Sequence, residues 1–179
     1  MTAPKVLLGL SVATALGVGI AHAETTQCAE RNAIHANQEH PQSTSVEAAN
    51  IRIQVRNTID RIARLPPGKR SAPTQQALFD QLVGLGPKAA PTIIELMDDR
   101  RRLPVAALAL ENRSPNAFEA LRHYSPALMV DALSAVLSQI TGESFGFIEN
   151  SANDKVSEAD RRKVVEAWRR YSVTHYQVR

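Results

Sequence analysis

The chain has 179 residues, 44% hydrophobic, 22% charged and 4% aromatic, with a formal net charge of +3. That length suits one domain with a real core, and charges so nearly balanced make no electrostatic case for nucleic acid. Cys28 is the single cysteine, which excludes an internal disulfide and leaves the fold to helix packing.

The N-terminus has the pattern of a secretory signal. Lys5 gives a short basic start, and residues 6–20 (VLLGLSVATALGVGI) are small or apolar apart from Ser11 and Thr14. This run is too short to span a bilayer core of about 30 Å. Ala21-His22-Ala23 offers small side chains at the first and third positions, so cleavage is expected after Ala23. The working form is then expected in the periplasm or outside the cell. Cys28 follows Thr25-Thr26-Gln27, which does not fit a lipoprotein signal, and is expected as a free thiol on a loose arm.

Residues 24–43 are polar and are expected to be a flexible lead-in. His35 and His40 are five apart, off one helix face, and are expected to be solvated rather than ligands. The helical domain is expected over 44–179. Thr44-x-x-Glu47 has the form of a capping box, and Ile51, Val55, Ile59 and Ile62 follow as one apolar stripe until Pro66-Pro67-Gly68. Leu78, Leu82 and Leu85 mark a second helix over 73–85. Ile93, Ile94, Leu96 and Met97 mark a third over 89–97.

A fourth helix is expected near 103–110, and a fifth from Ser114-Pro115 to about His123, carrying Phe118 and Leu121. The sixth, 126–141, is the most apolar after the signal segment and is expected at the centre, with Gly142 as its left-handed terminator. Ser157-x-x-Asp160 opens a last helix to about Tyr171, with Val164, Val165, Trp168 and Tyr171 buried. The expected class is all-α: an antiparallel stack of about seven short helices with no strand.

The stretch Leu82-Val83-Gly84-Leu85-Gly86-Pro87-Lys88-Ala89-Ala90-Pro91-Thr92-Ile93-Ile94-Glu95-Leu96-Met97-Asp98 resembles a HEAT repeat. The resemblance covers a Leu-Gly helix end, an Ala-x-Pro opening and a terminal Asp. It implies HEAT-like helical hairpins in an α-α superhelix. The following Arg102-Leu103-Pro104-Val105-Ala106 keeps only a degenerate form of the next repeat's opening. The tail from Ala132 through Ile140-Thr141-Gly142-Glu143-Ser144-Phe145-Gly146 to Trp168 resembles an ending of exported bacterial proteins of unknown function with HEAT-like bodies. Phe145 and Phe147 are expected to fold back over the helix ends with Trp168.

Catalytic patterns are weak. Glu95, Asp98 and Asp99 cluster beside Arg100, Arg101 and Arg102, which points to a solvated, ion-paired turn rather than an acid/base pair. No nucleophile elbow, paired-histidine metal motif or glycine-rich phosphate loop occurs in the sequence, so neither metal nor cofactor is expected.

These features point to a non-enzymatic interaction module of the cell envelope, taking a protein or peptide partner on the inner side of the hairpins over 74–113. Its displayed side chains are expected to be Lys88, Glu95, Arg101, Arg102, Glu111 and Arg113, with Arg101, Arg102 and Arg113 as the anchors. Residues 154–179 carry seven basic against four acidic residues, a weak pull toward an anionic membrane surface. The alternative is a small-ligand protein or enzyme in which Glu143, His123 and Tyr124 converge near the loop after the sixth helix.

Overall fold

A computed structural model describes residues 41–112 and 118–176, all within one compact unit, His40–Arg179. The expected signal segment 1–23, the lead-in up to His40 with Cys28 and His35, and Arg113 with the Ser114-Pro115 helix start lie outside the described residues. The class is mostly α. Among the described residues the helices are α1 (Pro41–Ala63), α2 (Ala72–Gly84), α3 (Ala90–Glu95), α4 (Met129–Thr141) and α5 (Glu158–Tyr176). Two 3-10 turns, Lys69–Ser71 and Gly86–Ala89, precede α2 and α3.

The apolar stripe of α1 is buried as its spacing predicts: Val55, Ile59 and Ile62 are at most 2% exposed. Its start differs. The helix begins at Pro41, so Thr44 lies inside it rather than at a cap, and the Glu47 carboxylate pairs with Lys88 at 2.6 Å. The α2–α3 reversal turns on Gly86, whose φ of 66° is one an L side chain resists. Ala89 and Ala90, wholly buried, let α3 approach closely.

Helix α4 is the centre. From Met129 to Leu137 every residue is buried, and the helix packs on α2, α3, α5 and a small sheet. Gly142 ends it with φ 78°, its N–H bonded to the Ser138 carbonyl. The Ser157 hydroxyl and Asp160 carboxylate form the expected cap of α5, the Asp160 N–H donating to Ser157 Oγ at 3.1 Å. Trp168 is 0% exposed. Phe145 covers it edge-on at 4.7 Å, whereas Phe147 is 92% exposed and covers nothing.

The expected fourth and fifth helices are not formed where the chain is described. Leu108–Glu111 is strand β1 and Leu121–Tyr124 is strand β2, antiparallel, with Leu108 opposite Tyr124 and Glu111 opposite Leu121. The expectation of no strand is thereby corrected. The reason is tertiary. Leu108 and Leu110 alternate inward onto the core, and two glutamines of α2 take up the main chain beside them. Gln75 bonds the Val105 N–H and the carbonyls of Val105 and Ala107. Gln76 bonds both main-chain groups of Ala109. Helix propensity of the alanine-rich run loses to these long-range bonds.

Candidate interaction surface

The framework under the surface is a buried polar knot. Asp131, in the first turn of α4, is wholly buried. It accepts from the Leu128 N–H (3.0 Å), from the Ser151 hydroxyl and from a two-pronged Arg161 of α5. Ser134 Oγ donates to Glu149 Oε1 at 2.9 Å. Burial pushes the Glu149 carboxyl above its ordinary value; main-chain N–H groups and Ser134 oppose that rise, and the Asp131 charge adds to it. Ser125 N–H donates to Asn150 Oδ1, and the Ala127 N–H donates to Ser151 Oγ. The 149–153 turn is thus clamped to the junction between β2 and α4.

The acidic cluster after α3 is the ion-paired turn its sequence suggests, with partners drawn largely from elsewhere. Glu95 receives Arg52 and Arg56 of α1, and Asp98 receives Arg169 of α5. Arg100 crosses to Glu158 at 2.9 Å and also donates to the Met97 carbonyl at 2.9 Å. Only Asp99 keeps to the expected run, accepting from Arg101 at 2.6 Å.

These pairings engage several of the residues expected to bind a partner. Lys88 and Glu95 are held in ion pairs within the protein. Arg101 bonds Asp99 and also Asp60 of α1, and those bonds raise its already high basicity. It is a brace held between two carboxylates. Arg102 is exposed and lacks a carboxylate partner among the described residues, where its main chain is engaged in a bridge to Leu128. Arg113 lies outside the described residues.

The chain around Arg102 is tied to a second basic segment that the sequence reading did not single out. The Gly68 N–H donates to the Pro104 carbonyl at 3.0 Å, and Arg101 reaches Asp60 at 3.0 Å. Ser71 Oγ donates to the Pro66 carbonyl, closing the turn after α1. Two chain segments distant in sequence are thereby stitched together, and Arg61, Lys69, Arg70 and Arg102 stand exposed beside the stitches. None of these four has a carboxylate partner among the described residues. The two carboxylates at this corner, Asp60 and Asp99, are both engaged by Arg101. The available signal was the basic run flanking Pro66-Pro67-Gly68, but nothing local joins it to Arg102.

Of the alternative constellation, no hydrogen bond or ion pair joins Glu143 to His123 or Tyr124 among the described residues. An open groove of about 350 Å³ between α3 and α5 is lined by Ile94, Arg169, Val173 and Tyr176, and includes none of the three. Among the described residues no cluster of His, Cys, Asp or Glu is arranged to hold a metal ion, and no helix is long and apolar enough to cross a membrane. Comparison with protein-family models, curated proteins and solved structures found no match to this chain.

Proposed function

We propose that this protein is a non-enzymatic interaction module of the bacterial cell envelope that grips an acidic protein segment at the corner formed by Arg61, Lys69, Arg70 and Arg102. The observation that carries this is four exposed cations without carboxylate partners among the described residues, on a backbone cross-bonded from Gly68 to Pro104. A guanidinium fork matches a carboxylate with two parallel hydrogen bonds, so three arginines and a lysine on a fixed frame suit a run of Asp and Glu. Arg101, pinned by Asp99 and Asp60, holds the frame rather than the partner. The α2–α3 hairpin, with Gly86 at its reversal and Ala89 at its close approach, supports a HEAT-like ancestry for the helical body. The basic start, apolar run and Ala21-His22-Ala23 support export with cleavage after Ala23.

A fluorescein-labelled oligo-glutamate peptide is the probe. It is expected to bind the wild type at low salt and to weaken on adding salt. The triple variant Lys69→Glu, Arg70→Glu, Arg102→Glu is expected to lose about tenfold or more in affinity with its helical circular dichroism unchanged. Equal binding by the folded triple variant would overturn the assignment, as would binding to anionic phospholipid vesicles but not to the peptide. N-terminal sequencing of the exported material is expected to start at Glu24.

A further inference from the structure

A second surface is built differently, from main chain rather than charge. The Asn112 N–H donates to the Ala120 carbonyl at 2.8 Å, and the ladder continues with Leu110 opposite Arg122 and Leu108 opposite Tyr124. In an antiparallel pair the bonded positions alternate. Ala120, Arg122 and Tyr124 therefore aim their N–H and C=O groups at β1, and Leu121 and His123 aim theirs away from it. The same parity on β1 turns Ala109 outward, and there Gln76 answers both groups: its Nε2 donates to the Ala109 carbonyl at 2.6 Å and its Oε1 accepts the Ala109 N–H at 3.0 Å. Among the described residues nothing comparable covers β2. The outward main-chain groups of Leu121 and His123 have no partner among the described residues, and both residues are exposed. One edge of the hairpin is closed by a side chain and the other is left open.

We propose that the open edge of β2 is a self-recognition site, at which two copies of this chain pair antiparallel about Leu121 and join their hairpins into one four-stranded sheet. A free edge is a template for another strand; the sequence along this one selects a second copy. A two-fold axis must pass through one of the four residues of β2. An axis at Arg122 sets the two Arg122 side chains directly opposite, with Cα atoms about 4.5 Å apart and like charges in contact. An axis at His123 needs the main chain of Ser125 on the shared edge. That main chain is spent: its N–H donates to Asn150 Oδ1 and its carbonyl accepts the Ala152 N–H at 2.8 Å. An axis at Tyr124, which sets His123 against Ser125, meets the same obstacle.

An axis at Leu121 meets neither obstacle. Leu121 of each copy lies against Leu121 of the other. Arg122 lies against Ala120. His123 lies against Glu119, whose carboxylate accepts from the imidazole N–H. Tyr124 lies against Phe118, a ring that is fully exposed in the single chain. Cross-strand aromatic pairs and acid–base pairs are the contacts that stabilise a sheet, and this register provides both twice by symmetry.

Sedimentation equilibrium of the purified chain tests this over about 10 µM to about 1 mM. A reversible monomer–dimer equilibrium is expected. Leu121→Pro removes an outward N–H while leaving every bond between β1 and β2 in place. It is expected to weaken the dimer about tenfold, through one hydrogen bond lost from each copy. His123→Glu sets two carboxylates opposite each other and is expected to weaken it as well; the swap Glu119→His with His123→Glu is expected to restore it. Register is read by oxidative cross-linking in a Cys28→Ser background. Leu121→Cys is expected to link readily, because facing Cα atoms about 5.5 Å apart suit a disulfide, and His123→Cys is expected to link poorly. A chain monomeric throughout the range, a dimer indifferent to Leu121→Pro, or His123→Cys linking as fast as Leu121→Cys would each overturn the proposal. Binding of an unrelated extended peptide to this edge by a chain that stays monomeric would overturn it too.

Discussion

The Arg161 guanidinium forks onto the Asp131 carboxylate, Nε to Oδ1 at 2.8 Å and Nη2 to Oδ2 at 3.2 Å, and the carboxylate has no exposure to solvent. One ion pair therefore joins the start of α4 to the first turns of α5. The same carboxylate also caps α4 by accepting the Leu128 N–H.

Breaking that pair from one side leaves a buried charge unanswered. Arg161→Met and Asp131→Ala are each expected to cost about 3–5 kcal/mol, measured by urea unfolding. The double variant Asp131→Leu, Arg161→Met is expected to recover a large part of the loss, since no lone charge remains. What it does not recover is the cap on Leu128 and the bond to Ser151. Strict additivity of the two single losses would show that the two groups act independently.

Glu149 carries the opposite sign. Burial raises its carboxyl in the folded protein, so the folded state holds a proton that the unfolded state has released. Stability from this group is then complete below the ordinary value of 4.5 and falls as pH rises through it toward the folded-state value. Glu149→Gln keeps an acceptor for Ser134 Oγ and carries no charge. The variant is expected to gain on the wild type as pH rises above the ordinary value of 4.5 and to gain nothing further above the folded-state value. Unfolding free energies at several pH values check this; a wild type that gains on the variant with rising pH would contradict it.

Trp168 is the only tryptophan, so its emission reports one site. Phe145 and Tyr171 meet it edge-on at 4.7 and 5.7 Å. The native spectrum is expected well to the blue of exposed indole. Trp168→Ala is expected to cost about 3–5 kcal/mol through the cavity it leaves. Trp168→Phe is expected to cost much less. The indole Nε1 is buried with no hydrogen-bond partner among the described residues, so its removal offsets part of the lost packing.

Two glycines after α4 separate backbone strain from crowding. A Cβ at Gly142 meets nothing within 4 Å, so Gly142→Ala is expected to cost about 1–2 kcal/mol, the strain of its φ of 78° alone. At Gly146 the φ is 142° and a Cβ falls 2.8 Å from Val164 Cγ2, in the core face of α5. Gly146→Ala is expected to cost more, and Val164→Ala to relieve part of it in a double-mutant cycle.

Sequence alone determined the helices whose signals are local. The spacing of Val55, Ile59 and Ile62, the apolar run of α4, the terminator Gly142 and the Ser157–Asp160 cap each act within one or two turns, so neighbours in the chain suffice to specify them. The burial of Trp168 followed from that same periodicity. Tertiary structure decided the rest. Residues 103–111 have an alanine-rich helical composition, and they become an irregular segment and strand because Gln75 and Gln76, some thirty residues earlier, supply bonds to their main chain. The Asp131–Arg161 pair and the elevated Glu149 have no local sign, since each depends on which helices become neighbours. The basic corner is of the same kind: the segment carrying Lys69 and Arg70 is joined to the segment carrying Arg102 only by the long-range bond from Gly68 to Pro104. Local periodicity encodes which face of an element is buried; long-range hydrogen bonds and ion pairs form only once the burial of those faces has brought their partners within reach.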